Sequence, residues 1–255
     1  MTHRSYRVGL IVPSSNTTME TEVPAMLHMR EQVRPQERFT VHSARMRMQQ
    51  VTPEELRAMN AQTDRAAAEL ADLRPHVAAT ACLVAIMAQG PGHHVTAEAQ
   101  IADVLRDHDA SAPVLSSAGA LIAALKALHA RRIAMVTPYL KPLTQLVADY
   151  IEDAGIEVHD ALSLEVSDNR AVAALDPADL RRHWRRLDLD GCDTLVLSAC
   201  VQMPSLPAIA DVERESGLPT LSAATSTTWA LLRALGLPAA VPDAGRLLAG
   251  SPSTA

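Results

Sequence analysis

Aromatic side chains are scarce in this chain of 255 residues: one Phe, three Tyr and two Trp make up 2% of it. A pocket of stacked rings for a sugar or a nucleobase is therefore improbable. The sequence also has no Lys/Arg-rich run, and its formal net charge is −6. Because nucleic acids are bound through clustered positive charge, we expect no nucleic-acid partner.

Cysteine is also rare, with three residues and no Cys-x-x-Cys pair, so common zinc and dithiol redox motifs have no support. The longest nearly unbroken apolar stretch, residues 77–88, is far shorter than a membrane span. The apolar run near the first residue is too short for the core of a signal peptide. These features predict a cytoplasmic protein with reduced thiols and no membrane partner.

Short apolar runs alternate with segments of 3.6-residue periodicity, which predicts an α/β fold with mostly parallel sheets flanked by helices. Thr52 and Glu55 have the spacing of a capping box, and the helix that they begin should run to about Leu73. The predicted strands are residues 8–12, 39–44, 77–81, 114–116, 133–136, 157–163, 194–198 and 220–222.

The two halves of the sequence repeat each other. Residues 7–13 resemble 132–138, the phrase around Cys82 resembles that around Cys200, and Pro-x-Leu-Ser at 113–116 returns at 219–222. Three matches in the same order favour an internal duplication over chance similarity. Two lobes related by a pseudo-twofold axis would place equivalent strand ends, and hence positions 82 and 200, on either side of one cleft.

Cys82 and Cys200 each follow a predicted strand, at the edge where open α/β sheets bind ligands. Unpaired N–H groups and a helix dipole at such a position should stabilise a thiolate, which is a nucleophile or a base. A single cysteine in apolar surroundings is more often a core residue, but a matched pair favours a functional role. Cys192 has no counterpart in the first half and is interpreted as structural.

Other residues near these strand ends could hold a small anion. The N–H groups of Leu83 and Val84, and those of Val201 and Gln202, could cradle carboxylates, and two such cradles would suit a dicarboxylate. Asn16 follows the first strand in a polar loop, so it is either a substrate contact or part of a helix cap. Tyr139 and Asn169 occupy similar turns in the second half, where a core-edge position and a helix cap are the alternatives.

Two adjacent histidines, His93 and His94, invite a metal interpretation. Adjacent side chains point apart in an extended chain, and no carboxylate follows at a metal-binding spacing. We therefore interpret them as part of a solvated loop and expect no metal site.

Five segments spread over nearly the whole chain carry recognisable motifs. They are Pro-Ser-Ser-Asn-Thr-Thr-Met-Glu at 13–20, Ala-Cys-Leu-Val-Ala at 81–85, Pro-Tyr at 138–139, Asp-Asn at 168–169 and Ser-Ala-Cys-Val-Gln-Met-Pro-Ser at 198–205. Together and in this order, they resemble the maleate cis-trans isomerases of the aspartate/glutamate racemase superfamily. Pro-Ser-Ser-Asn-Thr and Cys-Val-Gln-Met are the more specific of the motifs.

The resemblance implies two lobes, residues 1–118 plus 224–255 and residues 119–223, with the active site in the cleft between them. It implies Cys82 as nucleophile and Cys200 as its acid/base partner, in a conversion of maleate to fumarate without cofactor or metal. Nicotinate breakdown is a pathway such enzymes often serve, and a homodimer is the expected assembly. The implied carboxylate contacts are Asn16, Tyr139 and Asn169, with the N–H groups of Leu83, Val84 and Val201.

Three alternatives remain open. An amino-acid racemase also uses two thiols, but polar residues that would engage the ammonium group are absent directly after Cys82 and Cys200. An arylmalonate decarboxylase resembles this chain while keeping only the cysteine that matches Cys200, so Cys82 argues against it. A two-lobed small-molecule sensor would not need paired thiols.

Overall fold

The computed structural model describes residues 3–250, and all eight strands assigned within that range lie in two four-stranded parallel sheets. The first sheet contains β1 to β4 and the second β5 to β8. The strands are β1 (Arg4–Pro13), β2 (Glu37–Met46), β3 (Val77–Thr80), β4 (Val114–Ser116), β5 (Arg132–Thr137), β6 (Glu157–Ser163), β7 (Thr194–Ser198) and β8 (Thr220–Ser222).

Both sheets have the same strand order. The first reads β2-β1-β3-β4 and the second reads β6-β5-β7-β8, so each strand corresponds to the one four places later. Strands β3 and β7 are buried along their whole length, as expected for a parallel sheet covered on both faces. The predicted α/β fold with two pseudo-twofold-related lobes is confirmed, and all eight predicted strands are present.

Helices connect the strands and cover the faces of both sheets. Short 3₁₀ turns follow α9 and lie near the end of the described chain. The helices are α1 (Met19–Val33), α2 (Pro53–Asn60), α3 (Thr63–Ala71), α4 (Leu83–Met87), α5 (His93–Asp107), α6 (Ser117–Ala127), α7 (Lys141–Asp153), α8 (Asn169–Ala173), α9 (Pro177–His183), α10 (Leu206–Ser216) and α11 (Ala223–Ala234).

The single helix predicted from Thr52 to about Leu73 is wrong, because the chain breaks between α2 and α3. Gln62 lies at the break, where its Oε1 accepts a hydrogen bond from the Arg47 N–H at 3.0 Å. This bond ties the break to the segment after β2. An apolar periodicity that continues across a short turn does not reveal such a break.

The predicted capping box at the start of α2 forms only in part. The Thr52 hydroxyl accepts a hydrogen bond from the Glu55 N–H at 3.3 Å, as predicted. The Glu55 carboxylate instead accepts from the N–H groups of Gln49 and Gln50, at 2.6 and 2.8 Å. These bonds lower the pKa of Glu55, so its charge stabilises the loop before α2.

Several contacts join the two sheets. Helices α6 and α11 pack against each other, and α11 also contacts α1, β3 and β4 of the first sheet. Arg30 is fully buried in α1, pairs with Glu37 and donates to the Ala240 carbonyl at 3.0 Å, which ties the segment after α11 to the first lobe. A single antiparallel bridge links Gln50 to Asp168, so the segment after β2 reaches across to the second lobe.

The predicted lobe boundaries, 1–118 plus 224–255 and 119–223, stay a prediction, and residues 1–2 and 251–255 lie outside the described range. None of the helices described in residues 3–250 is long and apolar enough to cross a membrane.

Candidate active site

The carboxyl ends of the central strands bring the predicted site residues to one cleft. Parallel strands end at the same edge of a sheet, so residues that follow them become neighbours. Cys82 follows β3 and Cys200 follows β7, the equivalent strand of the second sheet. Asn16 follows β1, and Tyr139 follows β5.

The structure brings the two predicted thiols together. Cys82 and Cys200 are both free and buried, with 6% and 4% of their surface exposed. The sulfurs are close enough for the charge of Cys200 to raise the pKa of Cys82, and both raise the pKa of Tyr139. Cys192 is half-buried at the opposite end of β7, with its Sγ 3.9 Å from the Asp188 carbonyl oxygen.

Burial, with a smaller contribution from the nearby Cys200, raises the pKa of the Cys82 thiol to about 12. A hydrogen bond from the Ala85 N–H lowers that pKa, but by less than burial raises it. The expectation that the helix start stabilises a Cys82 thiolate is therefore wrong for the protein without substrate. Helix α4 is only five residues long and fully buried, so the loss of solvent outweighs its N–H groups.

Three donors converge on the Cys200 sulfur. Burial raises the pKa of this thiol, while hydrogen bonds from the Tyr139 hydroxyl and the N–H groups of Gln202 and Met203 lower it. The Gln202 nitrogen lies 3.3 Å from the Cys200 Sγ. Burial holds the pKa of Tyr139 well above its usual range, so its hydroxyl keeps the proton that it donates.

The two asparagines that sequence reasoning singled out lie at the lobe boundary. Asn16 is buried; its Oδ1 accepts from the Met19 N–H at 3.0 Å at the start of α1, and its Nδ2 lies 3.4 Å from the Val201 carbonyl oxygen. It is thus part of a helix cap as well as a cleft residue. Asn169 donates from Nδ2 to the Ser15 hydroxyl at 2.7 Å.

Asn169 is not the N-cap that one interpretation allowed. The carboxylate of Asp168 caps α8, and Asn169 is the first residue of that helix, with 4% of its surface exposed. Leu83, Val84 and Val201 are likewise buried next to the two cysteines. Leu83 and Val84 open α4, where N–H groups have no partner inside the helix. Their role toward a carboxylate stays a prediction.

A cavity of about 550 Å³ opens between the loops of the two lobes. It is lined by serines, by the segment after β2 and by the start of α8. Arg170 contributes a basic side chain to this lining. The lining residues are Ser14, Ser15, Met48, Gln49, Gln50, Val51, Thr52, Leu140, Ser167, Asp168 and Arg170.

Known proteins with this arrangement are similar along nearly the whole chain. Maleate isomerase of Alcaligenes faecalis is 55% identical over 247 residues, which are 97% of this chain and 98% of that protein. A cysteine-to-alanine variant of the Pseudomonas putida S16 maleate isomerase, solved with maleate, has a TM-score of 0.96 at 54% identity and covers 97% of this chain and 99% of its own.

The chain belongs to the maleate isomerase family. A Nocardia farcinica maleate cis-trans isomerase, solved as a cysteine-to-serine variant with a covalently bound succinylcysteine intermediate, has a TM-score of 0.94 at 48% identity. It covers 98% of this chain and 100% of that one. The family model described as arylmalonate decarboxylase matches residues 8–248.

Sequence reasoning missed three side chains around this cleft. Ser15 holds Asn169, and the side chain of Gln202 bonds to both lobes. Glu22 is buried in α1 and accepts hydrogen bonds from the N–H groups of Ser205 and Leu206, both at 2.6 Å. A signal was available for Gln202, since it is a polar residue inside the Cys-Val-Gln-Met motif.

The predicted solvated loop at His93 and His94 is wrong. Both residues belong to the first turn of α5, and the His94 Nδ1 lies 2.6 Å from the Tyr150 hydroxyl oxygen in α7. The turn at Gly90–Gly92 allows the helix to begin there, because both glycines have positive φ. Among residues 3–250, no group of three or more His, Cys, Asp or Glu side chains is arranged to hold a metal ion.

Proposed function

We propose that this chain converts maleate to fumarate without a cofactor, by addition of the Cys82 sulfur to the double bond. The observation that carries the proposal is the pair of buried thiols, one from each lobe, with the Gln202 N–H bonded to the second at 3.3 Å. Rotation about a carbon–carbon double bond requires that its π bond be removed. A sulfur nucleophile on one face and a proton carrier beside it provide the means.

The first step forms a bond between the Cys82 sulfur and one alkene carbon. The π electron pair moves to the neighbouring carbon and its carboxylate. Because Cys200 has more donors on its sulfur, we infer that it carries the negative charge of the pair and takes the Cys82 proton during the attack. Cys200 then gives that proton to the neighbouring carbon, which completes a succinyl thioether on Cys82.

The second step reverses the first after rotation about the new single bond. The Cys200 thiolate removes a proton from the carbon that it protonated, the double bond forms again in the trans geometry, and the Cys82 thiolate leaves. The proton on Cys200 then restores the starting state. The succinylcysteine of the Nocardia farcinica enzyme supports a full covalent adduct over an enediolate without carbon protonation.

The two carboxylates of maleate need donors on both sides of the cleft. We propose that Asn16 and Asn169 supply side-chain donors and that the N–H groups of Leu83, Val84 and Val201 supply main-chain donors. Tyr139 has a single O–H, which we propose it shares between the Cys200 sulfur and one carboxylate. Their burial supports this role, because hydrogen bonds to an anion are strongest where water is excluded. These groups also stabilise the charge that develops on one carboxylate during the attack.

The remaining proposals concern the lobe boundaries, the assembly, the pathway and the compartment. The lobes are proposed as residues 1–118 plus 224–255 and residues 119–223, in accord with the packing of α11 on the first sheet. A homodimer is the proposed assembly, and the family resemblance supports a place in nicotinate breakdown. Three free cysteines suit the cytoplasm, where thiols stay reduced.

The test is a proton NMR time course of the purified protein with maleate, run beside aspartate, glutamate and phenylmalonate. We expect fumarate to appear from maleate, with no deuterium exchange at the α-carbon of the amino acids and no loss of carbon dioxide from phenylmalonate. The phenylmalonate arm matters because the matching family model is described as arylmalonate decarboxylase. Decarboxylation or amino-acid exchange faster than fumarate formation would overturn the proposal.

A further inference from the structure

Gln202 lies in the turn between Cys200 and α10, and one amide group of its side chain joins the two lobes. The side chain is 2% exposed. Its Nε2 donates to the carbonyl oxygens of Ser15 and Asn169, at 2.8 and 2.9 Å. Ser15 follows β1 of the first lobe, whereas Asn169 begins α8 of the second, so both protons of one amide bridge the cleft.

The other polar groups of Gln202 have partners in the loop after β1 or in the active site. Its Oε1 accepts from the Thr17 N–H at 3.1 Å, and its carbonyl oxygen accepts from the Thr18 hydroxyl at 2.6 Å. Its own N–H donates to the Cys200 sulfur at 3.3 Å. A buried amide with every group satisfied is held in one orientation, since each alternative leaves a buried donor or acceptor unpaired.

The side chain of Gln202 bonds to the backbone on both sides of Asn16 and to the backbone of Asn169 itself. Ser15 and Thr17 are the neighbours of Asn16 on either side, and Asn169 is bonded through its own carbonyl. One side chain therefore fixes the backbone at both asparagines, while the backbone of the same residue donates to the Cys200 sulfur. Among residues 3–250, no other residue forms hydrogen bonds to the backbone beside Asn16, to the backbone of Asn169 and to the Cys200 sulfur.

We propose that Gln202 is a positioning residue that holds Asn16 and Asn169 in register across the cleft and couples their placement to the N–H that it donates to Cys200. This inference rests on the proposed function, in which the asparagines bind the carboxylates of maleate and Cys200 carries the proton. A residue that only stabilises the fold would change the free energy of unfolding and leave substrate affinity and Cys200 ionisation unchanged.

The experiment compares Gln202→Met with Gln145→Met. Methionine matches glutamine in length and cannot form these hydrogen bonds, and Gln145 is an exposed residue of α7 that bonds only within its own helix. Two readouts are measured: kcat and KM for maleate, and the alkylation rate of Cys200 by iodoacetamide across a pH series, followed by peptide mass spectrometry. A third variant, Thr18→Val, removes only the hydroxyl that donates to the Gln202 carbonyl.

We expect Gln202→Met to raise KM at least tenfold and to displace the alkylation profile of Cys200 to higher pH, because the N–H on the sulfur is no longer held. Thr18→Val should change both in the same direction and by less, and Gln145→Met should change neither. If Gln202→Met does not fold, Thr18→Val decides. Wild-type KM and a wild-type alkylation profile in the folded variants would overturn the inference.

The alkylation series keeps this test separate from the proposed function. If the wild type forms no fumarate from maleate, the proposed function fails while the Cys200 profiles still report on Gln202. If the wild type is active and the profiles of the folded variants coincide, the proposed function stands and the role of Gln202 fails.

Discussion

Cys82 and Cys200 occupy equivalent strand ends, yet their surroundings differ. After Cys82 the chain enters α4 at once, and one N–H, from Ala85, bonds to the sulfur. After Cys200 a turn precedes α10, and this turn supplies two N–H donors to the sulfur while Tyr139 supplies a hydroxyl. The turn also carries Gln202 and is anchored by Glu22 of the other lobe.

We infer from this difference that two lobes with the same strand order can give their equivalent cysteines different roles. Symmetry alone places two similar thiols on either side of a cleft. The residues inserted between strand and helix in the second copy add donors, which make one thiol the better holder of negative charge. The other thiol, deprived of solvent and with one donor, is a strong nucleophile once its proton has been removed.

The largest expected effect on activity is that of Cys82→Ser, which replaces the proposed nucleophile. A serine hydroxyl is far less acidic and a much weaker nucleophile toward an alkene, so kcat for fumarate formation should fall by about 10⁴-fold or more. Steady-state assays by absorbance at saturating maleate check this. A variant that keeps near-normal kcat would remove Cys82 as nucleophile; Cys192→Ser, at the far end of β7, is the matched control and should keep full activity.

A smaller effect is expected for Tyr139→Phe, which removes the hydroxyl donor from Cys200. Burial raises the pKa of both active-site thiols, so most molecules hold both protons near neutral pH. The fraction with a Cys200 thiolate, which is the reactive form, grows as the pH rises, so kcat/KM for maleate should rise with pH. Loss of the Tyr139 donor raises the pKa of Cys200 further and displaces that rise to still higher pH. At neutral pH, kcat should fall on the order of 100-fold.

The check is a pH series of kcat/KM for wild type and Tyr139→Phe, taken where maleate stays a dianion. A flat wild-type profile would mean that a thiolate already exists at neutral pH, contrary to the burial of both sulfurs. Coincident profiles would mean that Tyr139 does not act through Cys200.

Glu22 contributes to the free energy of unfolding, because its carboxylate accepts hydrogen bonds from the end of the turn that follows Cys200. Glu22→Ala leaves the N–H groups of Ser205 and Leu206 buried without partners, which should lower the free energy of unfolding by about 1–3 kcal/mol. Glu22→Gln keeps an oxygen acceptor. Urea unfolding measures both; equal stability of wild type and Glu22→Ala would show that the anchor is dispensable.

The pH dependence of the same measurement follows from the pKa of Glu22, which burial raises even though the two N–H groups lower it in part. Above the pKa of the unfolded chain, the ionised carboxylate therefore costs stability in the folded state. Glu22→Gln lacks that cost, so its stability relative to wild type should be greatest at neutral pH. The advantage should shrink as the pH falls and Glu22 becomes protonated.

The smallest expected effect is that of a chelator. No metal-ligand group was found among residues 3–250, and the proposed steps need none. Fumarate formation after dialysis against EDTA should equal that of untreated protein. A loss of activity that a divalent cation restores would contradict the thiol-only route.

Much of the fold could be predicted from sequence, because parallel strands buried on both faces leave short apolar runs between helices. The pairing of Cys82 with Cys200 could also be predicted, because the repeated sequence phrases mark equivalent strand ends in the two lobes. The break between α2 and α3 was not, because Gln62 binds Arg47 through a contact that apolar periodicity does not encode.

The electrostatics of the site could not be predicted from local sequence either. Proximity to a helix start indicated stabilised thiolates, whereas burial by residues from both lobes dominates the pKa of each thiol. The bridging role of Gln202 depends on the loops after β1 and β6, which are distant in sequence. Such effects appear only when the lobes are assembled.

The division of labour between the two sulfurs is tested most directly by intact-protein and peptide mass spectrometry of Cys200→Ala incubated with maleate. The account predicts a mass increase of one maleate on Cys82, formed slowly because water must replace Cys200 in taking the Cys82 proton and in protonating the neighbouring carbon. The adduct should accumulate, because Cys200, the base that removes the carbon-bound proton in the second step, is gone. Cys82→Ala should show no adduct. An adduct confined to Cys192, or one on Cys200 in the Cys82→Ala variant, would contradict the assignment.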